Sequence, residues 1–138
     1  VSLNRIFDIA GSAMTAQSLR LNTVASNLAN AETPAASAEE AYKARKPQFS
    51  AVLNQVNDEP ASGYSVSVTE ILESEAPAVA RHQPYHPMAD ADGNVFYPNV
   101  NVVEEMADMM SASRNYQSNI EVMNSARQMQ ERLLSLGQ

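Results

Sequence analysis

Apolar positions recur at helical spacing at both ends of the chain. In the first thirty residues Leu3, Phe7, Ala10, Met14, Leu21, Val24, Leu28 and Ala31 follow one another in steps of four and three once Gln17 is counted in the row. Eight of these nine heptad positions are apolar, which predicts a helix with one continuous stripe of the coiled-coil kind. Ser2 or Asn4 is placed to cap its start. Thr33 precedes Pro34 and is pushed out of the helical region, so the helix ends before it. Asn30, a residue that tolerates the left-handed conformation, stands where the helix would close. Gly11 is a weak point, costing about 1 kcal/mol relative to alanine.

The second helical stretch runs from Val102 to Leu136 without glycine or proline, with Pro98 before it and Gly137 after it. Its apolar residues Val102, Met106, Met109, Tyr116, Ile120, Met123, Ala126, Met129, Leu133 and Leu136 predict a single stripe, shifted slightly after Met123. At about 1.5 Å per residue this helix is roughly 52 Å long. A compact domain made of this chain has a diameter of roughly 37 Å. The helix therefore projects, and its stripe needs a partner.

Between the helices the pattern changes. Tyr64 to Ile71 alternates apolar and polar, the signature of a half-buried strand with Val66, Val68 and Tyr64 inward. Tyr42–Arg45 and Gln48–Leu53 are expected as short strands separated at Pro47, and residues 54–63 as a turn-rich loop. Prolines 77, 84, 87 and 98 enforce extended chain, and Asp92-Gly93 between Met88-Ala89 and Val95-Phe96-Tyr97 reads as a tight hairpin-type turn. The expected fold is mainly α with a small β element. Long N- and C-terminal helices (residues 1–31 and 100–138) pair as a coiled coil, and a short β-hairpin or extended segment (32–99) is inserted between them.

Charge adds to this picture. Between Asp8 and Glu32 the only charged side chain is Arg20, and between Asp108 and Glu131 there are only Arg114, Glu121 and Arg127. A solvated two-helix coiled coil normally carries Glu and Lys on its outer faces. Helices this poor in charge suit packing on several sides by other protein. The net charge of −7 and the scattered basic residues exclude a nucleic-acid footprint. No run of eighteen apolar residues predicts a membrane span, and the N-terminus lacks the basic and apolar regions of a cleaved signal. With no cysteine, disulfides and thiolate chemistry are excluded.

Chemistry finds little to rest on. Asp90, Asp92 and Asn94 alternate like the start of a calcium loop, but Gly93 falls at the fourth position and Asn101 occupies the place of the bidentate glutamate, so a turn is expected. His82 and His86 are four apart with Pro84 between them and no third ligand for zinc. Nucleophile elbows and glycine-rich phosphate loops are absent from the sequence. No enzyme, cofactor, metal or small-molecule substrate is expected.

Two stretches carry a resemblance. Ala25-Ser-Asn-Leu-Ala-Asn-Ala31 resembles the N-terminal signature of bacterial flagellar axial proteins, the family of rod, hook and hook-associated subunits. Pro98 to Asn119, with its Ala112, Arg114, Tyr116 and Asn119 pattern, resembles the C-terminal signature of the same family. Pro87-Met-Ala-Asp-Ala-Asp-Gly-Asn-Val95 running into Tyr97-Pro98-Asn99-Val100 is similar to the proximal rod members in particular. The short middle segment and the end directly after the second helix point away from the much longer distal rod and hook proteins.

The resemblance implies a structural subunit of the basal-body rod, the drive shaft across the periplasm. It implies helical assembly with other copies of itself and with other rod proteins, and export through the flagellar type III apparatus without a cleaved signal. The positions expected to carry the coiled coil and assembly are Leu3, Phe7, Met14, Leu21, Val24, Asn27, Leu28 and Asn30 in the first helix. In the second they are Val102, Met106, Met109, Arg114, Tyr116, Asn119, Ile120, Met123 and Leu133. The alternative is a non-polymerising coiled-coil adaptor or chaperone that binds partner helices.

Overall fold

The computed structural model describes residues 3–54 and 63–136. Helix α1 spans Leu3–Asn30 and helix α2 spans Val102–Leu136. Between them lie two antiparallel hairpins, β1 (Arg45–Asn54) with β2 (Gly63–Glu73), and β3 (Val79–His82) with β4 (Asn94–Tyr97). The molecule is mainly helical with a small β element.

Both helices end where local chemistry ends them. The Asn101 side-chain oxygen accepts from the amides of Val103 (3.2 Å) and Glu104 (3.3 Å), capping α2, and Glu104 and Glu105 place negative charge in its first turn. At the other junction α1 stops at Asn30, whose side-chain amide donates back to the Ser26 carbonyl at 2.8 Å. Asn27 meets Glu105 and Arg20 meets Asp108, so α1 followed backward runs beside α2 followed forward. The helices are antiparallel. Because α2 is longer, its last two turns extend past the start of α1 by about seven residues, and Leu133 and Leu134 there are 62% and 67% exposed.

The row of α2 that faces α1 differs from the apolar stripe. Glu105, Met109, Ala112, Tyr116, Asn119, Met123 and Ala126 are buried or half-buried, in unbroken steps of four and three, with Asp108 and Ser113 half-buried beside them. Val102, Met106, Ile120 and Leu133 are exposed instead, at 39%, 55%, 38% and 62%. The reason is size. On α1 the opposing surface holds Ala10, Ala13, Ala16 and Val24, and two small-residue faces approach more closely than a seam of Met and Ile allows. Hydrophobicity alone finds Met109, Tyr116, Met123 and Ala126 of this row and passes over Glu105, Ala112 and Asn119.

Strand β1 passes straight through Pro47 as a single ten-residue strand, where two strands broken at Pro47 are expected. A two-stranded ribbon makes this possible, because each strand bonds on one side only and Pro47 has no amide to offer the other. Opposite it, β2 carries a bulge. Gln48 pairs with Glu70 and Phe49 pairs with Val68, leaving Thr69 extra. The apolar residues of β2 are Tyr64, Val66 and Val68 and then Ile71 and Leu72, with a slip of phase between Val68 and Ile71. One extra residue at Thr69 absorbs it, so Ile71 shares a face with Val66, Val68, Phe49 and Pro47. Val66 and Val68 are half-buried while Ser67 and Thr69 are exposed, as the alternation predicts; Ser65, expected outward, is half-buried, and Tyr64 is 64% exposed, near the open end of the ribbon. The expected loop at 54–63 falls mostly outside the described residues.

The second hairpin pairs Asn94–Tyr97 with Val79–His82, not with Met88-Ala89. The Asp92-Gly93 turn does form. Gly93 donates to the Asp90 carbonyl at 3.0 Å, and the Asp90 carboxylate accepts from the amides of Asp92 and Asn94. Gly93 has φ of 78°, in the left-handed region. Ala35 bridges to Phe96 through both backbone bonds, which docks this hairpin beside the end of α1. Arg81 adds to the dock, pairing with Glu32 at 2.9 Å and lying 4.3 Å from the centre of the Tyr97 ring.

Candidate functional site: the helix junction and the faces of the helix pair

Asn27 sits where four segments meet and is fully buried. Its side-chain amide donates to the Arg45 carbonyl at 2.8 Å and to the Glu105 carboxylate at 3.0 Å. Its oxygen accepts from the Arg45 amide and from the Tyr42 hydroxyl, both at 2.9 Å. All four hydrogen-bonding positions of an asparagine are thereby used. Aspartate has no donors and leucine no polar atoms, so neither reproduces this set. Glu105, only 4% exposed, is a buried carboxylate with Asn27 as its hydrogen-bond donor.

Ion pairs continue the junction outward. Arg20 on α1 meets Asp108 on α2 at 2.7 Å, with both side chains partly covered. Lys46 on β1 reaches Glu104 on α2 at 3.1 Å, and this hydrogen bond raises the lysine above its ordinary pKa. Along the ribbon, the Val66 amide donates to the Ser12 hydroxyl at 3.1 Å. The β1–β2 ribbon therefore lies against α1, fixed through Ser12 and Asn27, and reaches α2 through the Lys46 side chain at Glu104.

The sequence-predicted positions divide into three groups. Val24 and Asn27 are buried; Phe7, Met14, Leu21, Leu28, Met109, Tyr116, Asn119 and Met123 are half-buried. Asn30 is half-buried and caps its own helix rather than reaching another segment. Val102, Met106, Arg114, Ile120 and Leu133 are exposed, and the side chain of Leu3 lies outside the described residues. Sequence reasoning missed Tyr42, Arg45 and Glu105 as partners of Asn27, and Ala112, which is fully buried. The heptad through Ala112 and Ala126 was the available signal. The shallow clefts beside the junction are open to solvent, and among the described residues no group of acidic or histidine side chains is gathered as a metal site.

Two family models match the ends of the sequence. Residues 7–36 match the flagella basal body rod protein model, and residues 91–136 match the C-terminal model of the flagellar basal body rod proteins FlgE, FlgF and FlgG. Curated relatives match along the whole chain. The flagellar basal-body rod protein FlgC of Escherichia coli O6:H1 is 48% identical over 139 residues, covering 100% of both chains. FlgC of Salmonella typhimurium is 47% identical with the same coverage. FlgC of Bacillus subtilis is 32% identical over 142 residues, covering 94% of this chain and 95% of its own.

The chain belongs to the flagellar basal-body rod protein family.

As a rod protein it is a structural subunit of the basal body and not an enzyme, which sets aside the free-standing adaptor reading. The Asn27 junction lies inside the N-terminal matched segment and its partner Glu105 inside the C-terminal one. The two matched regions of the rod protein are thus joined by a direct buried contact. No helix among the described residues is long and apolar enough to cross a membrane.

Proposed function

We propose that this rod protein assembles helically, with further copies of itself and with other rod proteins, into the drive shaft that crosses the periplasm. Residues 1–31 and 100–138 form the assembling unit, α1 and α2 pairing as an antiparallel coiled coil, and residues 32–99 form an inserted β-rich element. The subunit reaches its place through the flagellar type III export apparatus.

The observation that carries this reading is the mismatch between the helix seam and the helix surface. The seam holds Ala10, Ala112 and Ala126, while Met106, Met110, Met129 and Leu133 are each more than half exposed. Large apolar side chains on a helix surface gain little until something covers them, and a neighbour in a polymer does so. Uncharged faces fit the same surroundings. The expected coiled-coil positions that face outward, Val102, Met106, Ile120 and Leu133, then serve assembly between subunits. Asn30, Arg114 and Leu3 belong to the same assembling unit.

The test is recovery of the tagged chain in purified basal bodies, in many copies per particle, from a complemented deletion strain. Sedimentation of the purified chain with and without other rod proteins should show growth of large particles in their presence. Recovery only as a discrete complex in the cytoplasm would overturn the reading.

A further inference from the structure

Each hairpin has one covered edge and one open edge, and the hydrogen bonds tell them apart. Along an antiparallel pair, residues that bond to the partner strand alternate with residues whose backbone groups point away from it. The Val66 amide donates to the Ser12 hydroxyl, so Val66 points out of the ribbon and α1 covers the β2 edge there. Ala51, directly opposite Val66, then points out of the β1 edge, and Phe49, opposite Val68, does the same. Further along that edge Asn27 takes both backbone groups of Arg45, and Pro47 has no amide. Among the described residues nothing takes the outward groups of Phe49 and Ala51.

The second hairpin repeats this asymmetry. Phe96 exchanges both backbone bonds with Ala35, so the β4 edge is covered. Ala80, opposite Phe96, therefore points out of the β3 edge, as does His82, opposite Asn94. All four residues of β3 are exposed, and among the described elements it packs against β4 alone. Proteins guard open edges with lysine, proline or a bulge. Lys46, Pro47 and the bulge at Thr69 guard the first half of β1, but residues 49–54 hold neither charge nor proline.

We propose that the open edge of β1 pairs antiparallel with the open edge of β3 in a second copy of this chain. Phe49 lies opposite His82 and Ala51 opposite Ala80, and each of these pairs exchanges two backbone bonds. The side chains choose this register. It sets Val52 opposite Val79, both 41% exposed, at a non-hydrogen-bonded position where side chains come closest. A slip of two residues either way would set Val52 against Arg81 or Pro77 instead. The inference rests on the rod reading and names a joint within it. Pairing β1 with another β1 would close a two-fold dimer, whereas β1 on β3 leaves one edge of each kind free for the next copy. Such a head-to-tail joint is the kind a helical assembly needs.

The chain has no cysteine, so introduced cysteines report without background. Two differently tagged chains, one carrying Val52→Cys and the other Val79→Cys, are co-expressed, and their basal bodies are mildly oxidised. The Cα atoms of a non-hydrogen-bonded pair lie about 4.5 Å apart, within disulfide range. Mixed-tag dimers should form at least tenfold more than when Ser67→Cys, on the same ribbon face but on β2, replaces Val52→Cys. Mixed-tag yields no higher than the Ser67→Cys control, or dimers chiefly of a single tag, would overturn the proposal. Recovery of the unsubstituted chain in basal bodies tests the rod reading by itself, so the two can fail separately. In the Val52→Cys chain, Ala51→Pro removes one outward amide and leaves the β1–β2 bonds in place. It should cut the mixed-tag yield at least tenfold without lowering the thermal midpoint of the purified chain, while Ala51→Ser keeps the yield. An undiminished yield with Ala51→Pro would equally overturn the pairing.

Discussion

The side-chain amide of Asn27 and the carboxylate of Glu105 lie 3.0 Å apart with both residues buried, one on each terminal helix. Replacing Asn27 by alanine removes the side-chain partner of both backbone groups of Arg45 and of a buried carboxylate, while the Tyr42 hydroxyl keeps the Ser26 hydroxyl at 3.3 Å. Each unsatisfied group costs about 1–3 kcal/mol, and water entering the vacated space recovers part of it, so Asn27→Ala should cost about 3 kcal/mol or more. Asn27→Asp should be as harmful, since it sets a second carboxylate against Glu105. Asn22, exposed on the same helix, is the control, and Asn22→Ala should stay within about 0.5 kcal/mol. Urea denaturation followed by circular dichroism measures all three. Equal stability of the Asn27 and Asn22 variants would remove the junction from this account.

The bulge at Thr69 gives a prediction about deletions. Removing Thr69 leaves a regular ladder in which Val68 still pairs with Phe49 and Glu70 with Gln48. The faces of the ribbon are preserved and only the local twist is lost. Removing Ser67 turns Val66 to the outer face. Deletion of Thr69 should therefore be tolerated far better than deletion of Ser67, in both thermal stability and motility. For the same reason Val68→Asp should be more harmful than Ser67→Asp at matched expression. The opposite order in either pair would refute the register.

At Gly93 both backbone conformation and space are restrictive. A Cβ built there lies 3.0 Å from the His82 ring and 3.1 Å from the Pro84 Cβ, at φ of 78°. Gly93→Asn removes part of the conformational cost, because asparagine accepts the left-handed region, but not the crowding. Both Gly93→Ala and Gly93→Asn should loosen the β3–β4 hairpin, with Ala the worse by up to about 1 kcal/mol. Amide exchange at Gln83, which donates to the Gly93 carbonyl at 2.8 Å, should speed up in both variants. Unchanged protection at Gln83 would show that the turn yields without cost.

Lys46 and Glu104 offer a pH signature with a definite sign. The Glu104 hydrogen bond raises Lys46 in the folded chain, so the pair's contribution is fully present below the ordinary lysine range, near pH 10.4. It is lost as the pH climbs through the raised value. Both side chains are more than half exposed, so the contribution is small, within the 0–1 kcal/mol of surface pairs. Glu104→Gln should lower stability by a small constant amount at pH 6–9, with no change of slope there, and flatten the alkaline limb of the stability profile above about pH 10. A slope change in the neutral range would assign the effect to another group.

Much of the architecture was legible because it is written in local chemistry. Pro98 upstream and Gly137 downstream bracket α2, whose bounds match the glycine- and proline-free stretch. The alternation from Tyr64 to Ile71 marks β2. Three things were not legible. Pro47 reads as a break unless the strand is known to be bonded on one side only. Asp92-Gly93 names a turn but not the distant strand, Val79–His82, that pairs across it. Asn27 stands out through its family signature, but its partners lie 15 to 78 residues away, and no local spacing points to them. Two seam residues of α2, Glu105 and Ala112, escaped for a different reason. Alanine and glutamate score poorly on any hydrophobic scale, although alanine's small size is what lets two helices approach.

That difference between seam and stripe yields the sharpest contrast. Ala112 is fully buried and Ile120, eight residues on, is 38% exposed. A scale of hydrophobicity ranks Ile120 as the core residue and Ala112 as neutral filling. Packing ranks them the other way. Ala112→Leu adds three carbon atoms at a fully buried position of α2, and such overpacking costs about 1–3 kcal/mol. Ile120→Asp exchanges a partly solvated side chain on the open flank, and its cost to the isolated subunit should be under about 1 kcal/mol. In the assembled rod the order reverses, because a carboxylate on a flank covered by a neighbour loses its water without gaining a partner. Thermal unfolding of the purified chains and swimming of the complemented strains should thus rank the two variants oppositely. If Ile120→Asp unfolds the isolated subunit more readily than Ala112→Leu, the buried heptad assigned to α2 is wrong.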